Sequence, residues 1–245
     1  TCFGIAYASS PGNANVLEAL EYIAIEKGDE VVRRHWLEAR MTVNPDNPDL
    51  LRAHAHLLAK MGDMEAERDV LRLEALGLDT PADRSLLSGL RARAGSRSEA
   101  LESIEQALAE DPTQSKDWLS YANLLHQEGE MSKALDAADK CLELDRQNGG
   151  AWALSATILA PKQNRLKEAL KAAVHAVALD AGGVDLILLK ADLLLAEGSA
   201  TAAEESLTKA LEKDMMNGEL RARIATRHLL DGRPDDAQKL LDETP

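Results

Sequence analysis

The chain has 245 residues, 45% of them hydrophobic but only 3% aromatic. So much Ala and Leu can bury a sizeable apolar surface while offering few bulky strand formers, and the composition predicts an all-α fold. A formal net charge of −14 argues against a phosphate-binding surface, because nucleic-acid affinity rests on Lys and Arg, so nucleic acid is not an expected partner.

The first twelve residues read as a leading segment. Ala6, Tyr7 and Ala8 form an A-x-A pattern of the kind cut at the end of an export signal, and Cys2 could carry a lipid; a short leading helix is the favoured reading. Cys2 and Cys141 cannot build a disulfide framework, which leaves the redox compartment open. No run of about 18 apolar residues follows anywhere, so nothing is expected to span a bilayer as a helix.

From Asn13 onward the chain repeats at a period of about 34 residues. The expected blocks are 13–46, 47–80, 81–114, 115–148, 149–183 and 184–217, with a partial seventh from 218 to 245. In 81–114 the order is Ser88, Gly95, Ala100, Ile104, Ala107 and Pro112; in 115–148 it is Ala122, Gly129, Ala134, Ala138, Cys141 and Arg146; in 184–217 it is Ala191, Gly198, Ala203, Leu207, Ala210 and Met215. Each block reads as two helices. Trp118, Tyr121, Ala122 and Leu125 lie at helical spacing, and Ala134, Ala138 and Cys141 repeat that spacing after a turn. Ala122 and Ala134 are small enough to let the paired helices approach closely. Glycines 95, 129, 198 and 232 fit the position just past a helix end, where left-handed backbone is common. Gly28 and Gly62 fall one place late in their blocks. In the fifth block Pro161 should end the first helix and force a longer connection.

These blocks resemble tetratricopeptide repeats, whose pattern has a large residue early in the first helix, a small one four positions later, Gly or Ala in the turn, two Ala in the second helix and Pro near the end. Trp118, Ala122, Gly129 and Ala134 match it, as do Trp152 and Ala156, and Ala100, Ala107 and Pro112. The resemblance implies a right-handed α-solenoid of antiparallel helix pairs whose first helices line a concave groove for a protein or peptide partner. Carried onto this chain, the groove positions are Leu51, Ala55 and Leu58; Ser85, Gly89 and Ala92; Leu119, Asn123 and His126; Ala153 and Thr157; Leu188, Asp192 and Leu195; and Arg223 and Thr226. The family's basic clamp for acidic chain ends is not expected. Asn123 is present, but position 119 is Leu and no basic pair follows in the next block. An apolar ligand segment with a basic flank suits the acidic chain better.

Chemistry is not expected. No Gly-rich phosphate loop, G-x-S-x-G elbow or H-E-x-x-H helix occurs, so no catalytic residue, cofactor or metal is predicted. His54 and His56, two residues apart, point to different helix faces and read as surface imidazoles rather than a metal pair. Cys141 takes a small-residue core slot, where a thiol behaves as a small hydrophobe. The run "NPDNPDL" at 44–50 lacks the central Gly and terminal Glu of a calcium loop and reads as an inter-repeat turn.

The expected function is a non-enzymatic scaffold that docks partners in its groove and assists complex assembly. The style of "NPDNPDLLRAHAHLLAKMGD" resembles repeats of bacterial envelope proteins for polysaccharide export and cytochrome maturation, which favours a periplasmic or membrane-associated setting over the cytoplasm. Two alternatives stand beside it: a regulatory or targeting arm of a longer enzyme, and a homo-oligomer formed through the last block, which lacks a polar capping helix.

Overall fold

The computed structural model describes residues 10 and 12–242. The Ala6–Ala8 motif and Cys2 lie outside the described residues. Among those described there are fourteen α-helices, one short 3-10 helix and no strand. The chain divides into two units, residues 1–113 and 114–245.

The first unit holds α1 (Ala14–Lys27), α2 (Glu30–Val43), α3 (Pro48–Met61), α4 (Ala66–Ala75), α5 (Pro81–Ala94) and α6 (Arg97–Glu110). Consecutive helices pack on one another as antiparallel neighbours, because the turns between them are too short for anything else. The helix starts are written into the sequence. Asn13, Asp29 and Asn47 accept bonds from the first free backbone N–H groups of α1, α2 and α3, and Thr80 and Asp83 form a reciprocal capping box on α5. Pro48 and Pro81 occupy the first turn of α3 and α5, where a missing N–H costs nothing. The stops are equally local: Gly62 and Gly95 close these helices at φ +77° and +85°, a backbone that side chains with a Cβ rarely adopt. The core is a series of small clusters between pairs, such as Leu37, Leu50 and Leu57, and Leu58, Ala66 and Leu90.

The second unit holds α7 (Ser115–Gln127), α8 (Met131–Leu144), α9 (Gly149–Leu159), the 3-10 helix (Gln163–Arg165), α10 (Leu166–Ala178), α11 (Gly183–Ala196), α12 (Ala200–Lys213), α13 (Gly218–Leu230) and α14 (Pro234–Asp242). Gly129, Gly198 and Gly232 all have φ above +70°, as their place after a helix end requires. Ala122 and Ala134 are completely buried, which permits the close approach of α7 and α8. Near Pro161, α9 stops at Leu159 and the 3-10 helix precedes α10. At the end of the unit, Ala191, Leu194, Leu207, Leu220 and Ile224 form one continuous apolar cluster.

Candidate partner-binding face

The first helix of each pair turns one face away from its core. In α7, Asn123 is exposed while Leu119 and His126 are half-buried; in α9, Thr157 is exposed and Ala153 half-buried. In α11, Asp192 is exposed between the half-buried Leu188 and Leu195, and in α13 both Arg223 and Thr226 are exposed. The same holds for α5, with Gly89 exposed and Ser85 and Ala92 half-buried. These positions recur at steps of four and three residues, so each helix shows one accessible stripe.

On α3 the expectation is corrected. Leu51, Ala55 and Leu58 are only 3%, 0% and 0% exposed; they are core residues and line no accessible surface. The cause is a slip of one residue. Pro48 and Pro81 are each the first helical residue, and Gly62 and Gly95 each close the helix at the same distance from it. In that frame Ser85, Gly89 and Ala92 correspond to Arg52, His56 and Ala59, of which His56 is exposed and the others half-buried. The late position of Gly62 was the available signal. The same frame on α1 picks out Glu18, Tyr22 and Ile25, and Tyr22 and Ile25 are 60% and 46% exposed.

His54 is the second correction. It is 2% exposed, not a surface imidazole. Its Nδ1 lies 2.6 Å from Asp69 Oδ2, and its Nε2 faces Glu38 at 3.6 Å. The pair joins α3 to α4 inside the core, on the face that also buries Leu50, Leu57 and Leu58.

Ion pairs between helices were not anticipated. Arg52 Nε donates to Asp83 at 3.0 Å, Arg34 to Asp63 at 2.7 Å, and Arg223 reaches Asp192. Arg52 with Asp83 and Asp192 with Arg223 are both separated by 31 residues. That is slightly less than one repeat, and opposite charges at this offset on successive first helices were a legible cue. In the first unit Arg34 holds the Glu38 carboxyl below its ordinary range through a hydrogen bond. In the second, Arg233 and then His228 do the same for Glu204.

Two cavities bear on what the chain can do. One of about 170 Å³ in the first unit is lined by Val70, Leu87, Arg84, Arg91 and Ser103 among others, and its arginines are already engaged by Asp79 and Glu110 and by Glu67 and Ser103. The other, about 260 Å³, lies between α11 and α13 and is lined by Leu188, Glu219, Ala222, Arg223 and Thr226. Three expected face residues therefore meet at one depression. Cys141 is fully buried, and burial, followed by the Asp145 carboxylate, pushes its thiol up to about 11. At neutral pH it is a protonated core side chain, not a nucleophile. Among the described residues no group of three or more His, Cys, Asp or Glu is placed to hold a metal ion, and no helix is long and apolar enough to cross a membrane.

The tetratricopeptide-repeat pattern matches residues 118–148 and 194–245. No curated protein matches the sequence. Solved structures share the fold. A tetratricopeptide-repeat protein from Parabacteroides merdae is 20% identical, with 94% of this chain and 91% of that one covered and a TM-score of 0.66. PilW, described as a widely conserved type IV pilus biogenesis factor, is 18% identical, with 86% and 98% covered and a TM-score of 0.69. YrrB, described as having an unusual peptide-binding site, is 14% identical, with 73% and 92% covered and a TM-score of 0.58.

Proposed function

We propose that this chain, a tetratricopeptide-repeat protein, is a non-enzymatic scaffold that docks a segment of a partner protein on the exposed face of its first helices and thereby helps a larger complex assemble. The observation that carries this is the face itself: Leu119, Leu188 and Leu195 stand half-buried beside exposed Asn123, Thr157 and Asp192, an apolar strip with polar groups set into it, as segment recognition requires. The partner segment is apolar with a basic flank, in keeping with the net charge of −14.

A bacterial envelope setting, periplasmic or membrane-associated, is part of the proposal. It is supported by the envelope-like style of the first blocks and by the likeness in fold to a pilus biogenesis factor. A second reading, self-association, is favoured by the exposure of Met215, Met216, Leu229 and Leu230 at 58–75%; light scattering that stays monomeric across concentration would remove it.

The docking reading is tested by capture from a bacterial lysate on the intact chain and on a variant carrying Leu119→Glu and Leu188→Glu. Proteins held by the first and lost by the second, with the helical signal unchanged, support it. Equal retention by both moves the operative surface elsewhere.

A further inference from the structure

We infer that the cavity between α11 and α13 is an anchor site for a partner segment that sets an apolar side chain beside a Lys or Arg. This rests on reading the first-helix face as the docking surface, and it goes further by fixing the place and the chemistry of the anchor.

The lining residues of α13 fall at positions 219, 222, 223 and 226, the spacing of one helix face. Across from them stands Leu188, whose inner side packs on the apolar cluster of Ala191, Leu207 and Leu220. Leu188 and Ala222 form the apolar floor of a depression of about 260 Å³, enough for one side chain from outside. Most polar groups around that floor are already engaged. Arg223 reaches across to Asp192, and Thr226 Oγ1 donates to the Ala222 carbonyl at 2.8 Å. Glu219 differs: it is exposed, and its carboxylate makes no hydrogen bond or ion pair with any other described residue.

The site therefore offers one apolar floor and one unengaged negative charge. A neutral apolar segment gains only the floor. An acidic segment meets Glu219 with no unengaged cation among the lining residues to offset it, since Arg223 is held by Asp192. A segment with a cation next to its apolar residue gains both contacts, and the chain's net charge of −14 steers it toward the surface. Because Glu219 is exposed, the charge contact weakens with salt while the apolar contact persists.

The test is selection of a random-peptide phage library on the immobilised full chain and on two variants, Ala222→Phe and Glu219→Lys, each first checked for an unchanged urea midpoint. The expected result is enrichment on the intact chain of an apolar residue adjacent to Lys or Arg. Ala222→Phe fills the cavity and lowers retention of those peptides by roughly tenfold. Glu219→Lys shifts the adjacent preference to Asp or Glu. Equal retention on Ala222→Phe, or an unchanged basic preference on Glu219→Lys, overturns the anchor site alone; the docking reading then survives if Leu119→Glu abolishes retention. If the intact chain enriches no peptide, both fall.

Discussion

The two units bury their helix interfaces by different means. In residues 1–113 arginines tie helices together: Arg40 and Arg33 close on the nearly buried Glu21, Arg52 on buried Asp83, and Arg84 on Asp79 and Glu110. His54 and Asp69 add a buried pair. In α7–α10 of the second unit the helices meet through small residues, with Ala134, Ala138, Ala169, Ala173 and Ala176 all fully buried. Ion pairs there, such as Lys140 with Glu143 and Arg165 with Glu168, join residues three apart. Composition follows the same division. Residues 1–113 contain ten Arg and two Lys, and residues 114–245 contain six Arg and ten Lys. Arg spans an interface with a planar, multiply donating group that Lys lacks, whereas Lys suits a solvated flank. The first unit is thus specified by directional contacts and the middle of the second by close approach.

Substitutions sharpen that contrast when each is read by hydrogen exchange in its own unit, since stacked repeats need not unfold together. The largest effect is expected for Leu58→Ala, which empties a fully buried site and should cost about 3 kcal/mol in the first unit. His54→Ala should cost about as much, because Asp69, 3% exposed, loses the imidazole beside it. Replacing both His54 and Asp69 by Leu should recover most of that loss, as apolar substitutes for a buried pair often do. If the double variant is as unstable as the single one, the pair is not what makes this interface distinctive.

In the second unit the sensitive change is addition. Ala173→Leu places three more carbons where α10 is completely buried, and overpacking of this kind costs about 2 kcal/mol. Protection should fall in α9 and α10 and hold in α1–α6. An unchanged α10 would mean that the small residues are not setting helix approach.

A smaller effect is expected from Glu204, which Arg233 holds at 2.8 Å. Its carboxyl lies below the usual range in the folded chain because of that hydrogen bond. The resulting stabilisation is present above the unfolded carboxyl value of about 4.3 and is lost as pH falls below it. Glu204→Gln should therefore lower stability by less than about 1 kcal/mol at pH 6, given its partial exposure, and by progressively less as the pH falls below about 4.3 and the carboxylate is protonated in the folded chain as well. A difference that persists in acid would point to packing rather than charge.

Much of this fold is legible in the sequence because its signals are local. Glycine just past most first helices, such as Gly62 and Gly95, Asn or Thr before several of them, such as Asn47, Thr80 and Asn148, and Ala at the crossing points each act within a few residues. The phase of the accessible stripe is more fragile. It depends on counting from the helix start, and the one-residue shift between Gly62 and Gly95 moved a whole triplet from surface to core. The ion pairs are harder again, since Arg52 and Asp83 meet across the whole of α4 and their offset of 31 residues is a cue only once the phase of the repeat is fixed. The burial of His54 is legible on α3, since it lies four residues after Leu50 and three and four before Leu57 and Leu58; its partner Asp69 is not, because it belongs to the next helix.

The smallest expected effect decides whether that phase has been set correctly. His56 and Leu58 are two residues apart on α3, yet one is exposed and the other is not exposed at all. His56 corresponds to Gly89 and Asn123 on the accessible stripes of α5 and α7. His56→Ala removes a side chain with no role in the core, so stability should change by no more than about 0.5 kcal/mol, while partner capture through the first unit should fall if that unit contributes to docking. A destabilisation near that of Leu58→Ala would return the stripe to its former register and move Arg52 off the accessible face. With stability intact, His56→Ala and Gly89→Ala become clean probes of the surface, because at Gly89 a methyl group would meet nothing within 4 Å and loss of capture by either could then be assigned to the partner contact alone.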